Sequence, residues 1–132
     1  MAQVVVVLGV HRSGTSLTAR ILSALGLRFG DDLIPGRADN PSGFFEHRGI
    51  LVQTRALDRK LGIDPFRHGS ITPGQWEWWR ESHLVPEKEA LKQVLLREIA
   101  TPGPVFAFKD PRTLYLLPLW QDIFSELGLS PR

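Results

Sequence analysis

The sequence predicts an α/β fold in which a parallel sheet is flanked by helices. Two apolar runs, at about residues 4–9 and 104–109, have the continuous hydrophobicity of strands that are buried on both faces. The segments between them carry apolar residues at helical spacing, which is typical of parallel sheets. Because 132 residues with 42% hydrophobic and 23% charged side chains suit one globular domain, we treat residues 1–132 as a single domain.

The first predicted unit is a strand, a glycine loop and a helix. After the valine run, leucine and isoleucine residues at helical spacing predict a helix over about residues 13–25, with Gly26 as its C-terminal cap. The stretch 27–49 that follows is rich in Gly, Pro, Asp and Asn, and residues 39–43 form a strong turn signal. A loop of this length in a compact domain is uncommon and is often functional.

The remaining helices are predicted from amphipathic patterns. Apolar stripes predict three of them, at about residues 50–61, 87–99 and 113–127. We expect the last helix to be kinked at Pro118 and closed by Gly128. Thr72 and Pro73 have the order of an N-cap and a first-turn proline, and Pro86 is expected to interrupt the tryptophan-rich segment that follows them.

The strand count predicts an incomplete sheet. Two strands do not make a stable parallel sheet, which needs several strands covered by helices on both faces. The last residues, 129–132, are expected to form a loop that leads towards an absent third strand. We therefore interpret the chain as the N-terminal portion of a longer protein. An incomplete sheet would expose an edge or an apolar helix face, so we also consider a homo-oligomer.

The composition excludes several classes of function. The net charge is only +2 and the basic residues are scattered singly, which argues against nucleic acid as a partner. The absence of cysteine excludes disulfides, thiolate zinc sites and cysteine nucleophiles. The valine run is far shorter than the roughly 20 apolar residues of a membrane span, and it lacks the features of a signal peptide. We expect a cytoplasmic protein with no membrane partner and, because His68 and His83 lack metal-ligand spacing, no metal site.

The sequence GVHRSGTS, residues 9–16, has the layout of a phosphate-binding loop. It matches G-x-x-x-x-G-K-[ST] except that Thr15 stands at the lysine position. Loop amides and the free N–H groups at the start of the next helix would form a cradle for an anion. Gly14 lets a ligand approach the backbone, and Thr15 and Ser16 offer hydroxyl donors. Arg12 restores a positive charge with a planar fork that suits tetrahedral oxyanions.

Three stretches resemble the P-loop sulfotransferases, especially their bacterial members. VVLGVHRSGTSLTARILSALGL (residues 6–27) looks like their 5′-phosphosulfate loop, which has Arg/Lys-x-Gly-Thr-Ser/Thr where kinases have Gly-Lys-Ser/Thr. NPSGFFEHRGI (residues 40–50) and FAFKDPRTLYLLPLW (residues 106–120) are similar to later stretches of the same family, in matching order and spacing. The resemblance spans nearly the whole chain, and the three motifs together make it specific.

The resemblance implies an enzyme that moves a sulfuryl group from 3′-phosphoadenosine 5′-phosphosulfate (PAPS) to a hydroxyl or amine of a small-molecule or carbohydrate acceptor. The residues that would hold the phosphosulfate are His11, Arg12, Ser13, Gly14, Thr15 and Ser16. Because a sulfuryl group carries less negative charge than a phosphoryl group, no metal is needed. Family members bind the donor's 3′-phosphate with an arginine and a serine after the Lys-Asp-Pro-Arg region, and this chain stops before them, which suggests a C-terminal truncation.

The predicted catalytic residues are Arg12, Glu46 and Lys109. Glu46 is the first candidate for the general base, because the neighbouring aromatic side chains would desolvate it and raise its pKa. The alternative is that Glu46 only caps the next helix. His47 and Asp110 are the other candidate bases.

Lys109 and Asp110 come at the carboxyl end of a predicted strand, where ligands of parallel sheets bind. Lys109 would help neutralise the sulfuryl oxygens, and Asp110 would orient Lys109 or Arg12. Alternatively, Lys109 and Asp110 form a surface pair, with Asp110 capping the next helix and Pro111 in its first turn. Arg112 fits either a position in the active site or a position in this surface region.

The sequence leaves other options open. Four tryptophans serve either as a stacking platform for an acceptor or as core packing: Trp76, Trp78, Trp79 and Trp120. One alternative function is that of a kinase-like P-loop nucleotide-binding protein, which the missing lysine disfavours. Another is that of a truncated, non-catalytic remnant.

Overall fold

The computed structural model describes residues 2–64 and 77–132, and these residues contain a parallel sheet of three strands flanked by helices. The strands are β1 (Gln3–Val7), β2 (Phe106–Lys109) and β3 (Ser130–Pro131). The sheet order is β2-β1-β3, so β1 is the central strand. The register pairs Val4 with Phe106 and Val7 with Lys109, and it therefore brings the carboxyl ends of β1 and β2 together.

Four helices belong to the described part of the chain. They are α1 (Thr15–Ala24), α2 (Arg48–Leu61), α3 (Val85–Ala100) and α4 (Leu117–Glu126). Short 3₁₀ turns occur at Trp78–Arg80, Ser82–Leu84 and Pro111–Leu114. Gly62 ends α2 with a φ of 67°, a left-handed conformation that glycine adopts without steric cost.

The two faces of the sheet have cores of different size. Phe106 and Phe108 point into the main core, which is formed with α2, α3 and α4. Ala107 and Val7 point to the other face, where they pack with Ala19 of α1. Helices therefore cover both faces, as expected for strands with apolar residues on both sides.

The chain end differs from the sequence expectation. Residues 129–132 do not form only a loop, because β3 pairs with β1 in parallel. The N–H of Ser130 donates to the carbonyl of Ala2 at 3.0 Å, and the N–H of Arg132 donates to that of Val4 at 2.9 Å. Such a short strand has too few residues for a hydrophobic pattern, which explains why the sequence did not predict it.

Two prolines lie in the first turns of helices, and for Pro118 this differs from the predicted kink. Pro118 does not kink a long helix, because the chain instead forms the 3₁₀ turn at Pro111–Leu114 and then starts α4 with Pro118 in its first turn. Pro86 likewise lies in the first turn of α3. The first N–H groups of a helix have no partner within the helix, so proline is tolerated there.

Helix α1 illustrates a limit of periodicity. Its apolar residues recur at helical spacing, but Leu17 and Ile21 are exposed, whereas Ala19 is fully buried and only Leu22 of the predicted stripe packs against the same core. The pattern identified a helix but not the face that packs on the sheet. The predicted helix start at Thr72 and Pro73 lies outside the described residues. None of the helices in the described ranges is long and apolar enough to cross a membrane.

Candidate functional site

The glycine loop (residues 9–16) connects β1 to α1. A Cβ on Gly9 would lie 2.4 Å from Cγ2 of Thr15, so the loop packs closely against the start of the helix. Gly14 precedes α1 with a φ of 86° and no side chain caps the helix there. The first N–H groups of α1 are therefore open to a ligand from this side. This is the backbone arrangement that favours an anion.

The side chains of this loop point in different directions. Arg12 has a φ of 62° and is 73% exposed, and one of its nitrogens is 3.5 Å from Oδ2 of Asp39. The hydroxyl of Ser13 donates to the carbonyl of Val10 at 2.6 Å, which stabilises the loop itself. Thr15 is buried at the start of α1.

The loop forms one wall of a cavity of about 210 Å³. Apart from Asp39, the lining residues come from the three motif stretches, and each stretch contributes: His11, Arg12, Gly14, Thr15, Ser16, Asn40, Phe44, Glu46, Lys109 and Pro111. These stretches are far apart in the chain, and the pairing of β1 with β2 brings the first and the last together. Ser13 is the one predicted loop residue that is not part of this lining.

Glu46 and Lys109 form a buried ion pair in the cavity wall. They are 6% and 3% exposed, and Nζ of Lys109 lies 3.1 Å from Oε1 of Glu46. The same ammonium donates to the carbonyl of Phe44 at 3.1 Å and to Oγ of Ser16 at 3.4 Å. Burial raises the pKa of Glu46, and the charge of Lys109 opposes this shift. The interpretation of Lys109 as a surface residue is therefore wrong.

His47, not Glu46, caps α2. Its Nδ1 accepts a hydrogen bond from the N–H of Gly49 at 3.1 Å. Its Nε2 therefore carries the proton and donates it to Oε1 of Glu98 at 3.0 Å. Since both ring nitrogens are engaged, His47 is poorly suited to accept a proton from a substrate, and the capping role considered for Glu46 is wrong.

Asp110 caps the 3₁₀ turn that follows β2, which confirms the alternative that it caps the next helical segment. Its Oδ1 accepts from the backbone N–H of Arg112 at 3.0 Å and from the guanidinium at 3.1 Å, while Oδ2 accepts from the hydroxyl of Thr54. Pro111 takes the first position of the turn. Asp110 thus orients Arg112, and the expectation that it orients Lys109 or Arg12 is wrong.

Asp58 and Tyr115 complete this buried network, and neither was expected from the sequence. Nε of Arg112 donates to Oδ2 of Asp58 at 3.0 Å, and the hydroxyl of Tyr115 donates to Oδ1 at 2.9 Å. The available signal was an acid at position 58 beside the apolar stripe of α2, next to Leu57. A charged residue on a buried helix face needs a partner, which in this chain comes from Arg112.

The tryptophans of the described residues belong to the core. Trp120 is fully buried and its ring centroid lies 4.7 Å from that of Phe108. Trp78 is buried and packs edge-to-face with Trp79 at 5.9 Å. These contacts match the packing interpretation, whereas Trp76 and His68 lie outside the described residues.

Within residues 2–64 and 77–132, no group of three or more His, Cys, Asp or Glu side chains is arranged to hold a metal ion. Comparison with protein-family models, with curated proteins and with solved structures gave no match for this chain. A functional assignment therefore depends on the residues of the cavity and on their geometry.

Proposed function

We propose that this chain is a sulfotransferase of the P-loop type, which transfers a sulfuryl group from PAPS to a hydroxyl or amine of a small-molecule or carbohydrate acceptor. One observation carries the proposal: three stretches that resemble sulfotransferase motifs, at residues 6–27, 40–50 and 106–120, contribute to a single cavity. An accidental likeness in three separate segments would not be expected to converge in this way. The glycine loop, a buried carboxylate and a buried ammonium group in the same wall also support the proposal.

The glycine loop suits the phosphosulfate end of the donor. A Cβ on Gly14 would meet no atom within 4 Å, so there is open space above the start of α1. The N–H groups there and the hydroxyls of Thr15 and Ser16 would donate to the phosphosulfate oxygens. Arg12 is exposed and has only a 3.5 Å contact to Asp39, so its guanidinium is able to turn towards an anion in the cavity.

The transfer itself requires one base and a stabilised leaving group. The acceptor oxygen forms a bond to sulfur while the bond from sulfur to the bridging oxygen breaks, and its electron pair stays on the 5′-phosphate of the departing adenosine 3′,5′-bisphosphate (PAP). Glu46 takes the proton of the acceptor hydroxyl, and its raised pKa makes it a stronger base than an exposed glutamate. Lys109, 3.4 Å from Ser16, adds positive charge beside the departing oxygens.

The donor site is tested by calorimetry with PAP. We expect PAP to bind and the Arg12→Ala variant to bind it about 10-fold more weakly, as is typical for the loss of a charge-assisted contact. Arg59→Ala is the matched control, because Arg59 is an exposed arginine of α2 outside the cavity. Unchanged PAP binding by Arg12→Ala would refute the role of this residue. Binding of Mg²⁺-ATP in preference to PAP would favour the kinase-like alternative.

A further inference from the structure

A second cavity of about 260 Å³ adjoins the first one. The two cavities share His11, Arg12, Asp39, Phe44 and Glu46. The other lining residues of the second cavity are Ile34, Arg37, Arg55 and Arg112. Glu46, the proposed base, therefore lines both cavities.

The charges in the wall of the second cavity do not balance. Three of its charged residues have partners of opposite sign: Arg12 contacts Asp39, Arg112 contacts Asp58 and Asp110, and Glu46 contacts Lys109. For Arg37 and Arg55, no carboxylate of residues 2–64 or 77–132 lies within 4.0 Å of the guanidinium. Their two guanidinium groups therefore face the cavity without a direct ion pair among these residues.

The two arginines come from different elements whose backbones are held in place. Arg37 lies in a tight turn in which its N–H donates to the carbonyl of Asn40 at 3.1 Å, and its carbonyl accepts from the N–H of Asn40 at 3.0 Å. Arg55 lies on the exposed side of α2, directly after the buried Thr54. Two exposed guanidinium groups from separate parts of the chain can bind one anionic group from two directions.

The apolar part of the same wall suits the body of an acceptor. Phe44 and Ile34 are half-buried and border the cavity, so they offer a surface for a sugar ring or a hydrocarbon. An acceptor with an anionic group at the arginines would thus lie against these side chains and reach towards Glu46. Guanidinium forks bind carboxylate and sulfate groups in a planar, bidentate geometry.

We propose that the second cavity is the acceptor site and that it selects acceptors that carry a carboxylate or sulfate group, held by Arg37 and Arg55. This inference rests on the proposed sulfotransferase function. The anionic group remains unchanged, and the hydroxyl near Glu46 receives the sulfuryl group as described above.

The test compares p-nitrophenyl β-glucuronide with p-nitrophenyl β-glucoside, two acceptors that differ in one carboxylate. In calorimetry without donor, we expect the glucuronide to bind about 10-fold more tightly than the glucoside, which is the usual effect of a charge-assisted hydrogen bond. Arg37→Ala and Arg55→Ala should each remove this preference, and lysine at either position should restore part of it. Arg59→Ala, one turn further along α2, should leave the preference intact. Equal binding of the two glycosides would overturn the inference, whether or not PAP binds.

A second measurement separates the acceptor site from the donor site. PAP affinity should be the same in Arg37→Ala, Arg55→Ala and the unmodified chain. If either variant loses PAP affinity, the arginines belong to the donor site and the inference is wrong, although the proposed function stands. If PAP fails to bind the unmodified chain while the glucuronide preference persists, the proposed function fails and the anion site remains.

Discussion

At the scale of single residues, the Glu46–Lys109 pair is the centre of the proposed chemistry. Both side chains are buried, and their charged atoms are 3.1 Å apart. Ions that are withdrawn from water in this way depend on each other, because either one alone would be an uncompensated buried charge. Lys109 also contacts Ser16, so the pair connects the candidate base to the glycine loop.

The Glu46→Gln variant tests the assignment of the base. We expect turnover in sulfuryl transfer to fall by about 10²-fold or more, because an amide retains the volume of the side chain but cannot accept the proton. PAP affinity should change little. Measurement of transfer from labelled PAPS, together with calorimetry, checks both expectations. Glu89→Gln, an exposed change on α3, is the control, and near-normal turnover in Glu46→Gln would contradict the assignment.

The pH profile gives this variant an independent readout. Burial raises the pKa of Glu46 above its usual value of 4.5. Because only the deprotonated carboxylate acts as a base, kcat/KM should increase as the pH rises through this raised pKa and then level off. The rising limb should therefore lie above pH 4.5 and should be absent in Glu46→Gln. A limb at or below pH 4.5 would show that Glu46 is not the titrating group.

At the scale of elements, α2 and the turn after β2 fix the floor of the site. Helix α2 presents Thr54 and Asp58 to the interior, where they accept or donate hydrogen bonds with Asp110 and Arg112. The helix thus serves both the core and the cavity, because Arg112 lines the second cavity. A buried polar network of this kind orients its members when all of them have partners.

The Asp58→Asn variant should weaken the hydrogen-bond network between α2 and the turn after β2. The amide keeps the shape of Asp58 but loses the charge that faces Arg112 and one acceptor for Tyr115. We expect the free energy of unfolding to fall by about 1–3 kcal/mol, the usual cost of an impaired buried hydrogen bond. Urea unfolding followed by tryptophan fluorescence provides the measurement.

Asp32→Asn is the matched control for this change. Asp32 also pairs with an arginine, Arg48, at 3.0 Å, but both side chains are more than half exposed. Exposed pairs contribute about 0–1 kcal/mol. If Asp58→Asn costs no more than Asp32→Asn, the buried network does not stabilise the fold.

At the scale of the whole molecule, an aromatic core supports the edge of the sheet that carries the site. Trp120 packs between Phe108 of β2 and Phe124 of α4, with ring centroids 4.7 and 5.7 Å apart. Phe108 directly precedes Lys109, so the packing of this core positions the lysine. The core and the cavity therefore share one strand.

Trp120→Ala should lower the free energy of unfolding by about 3–5 kcal/mol, because it leaves a large cavity in the main core. Trp120→Phe should cost less, since it keeps an aromatic ring and removes an indole N–H that has no hydrogen-bond partner among the described residues. Chemical denaturation measures both effects. Retained sulfuryl transfer in Trp120→Phe is expected for a packing role, whereas loss of acceptor binding would support the stacking platform.

Local patterns were sufficient to predict most of the helices and strands. The valine run, the glycine loop and the start of α1 follow from hydrophobicity and from glycine conformation within about a dozen residues. The parallel sheet and its flanking helices are confirmed in the described residues. The strand β3 and the break before α4 were missed because two-residue strands and first-turn prolines have no distinctive hydrophobic pattern.

The sequence by itself determined the order of strand, loop and helix and the presence of polar residues suited to an anion at Arg12, Thr15 and Ser16, because these depend on local periodicity and side-chain chemistry. Only the tertiary structure decided which of the candidate groups lie together. Lys109 meets Glu46 and Ser16 across 63 and 93 residues of chain, which depends on the register of β1 with β2. The same packing makes His47 a helix cap and leaves Arg37 and Arg55 without an acidic partner among the described residues. Such long-range matches depend on the geometry of the whole sheet, which no local pattern encodes.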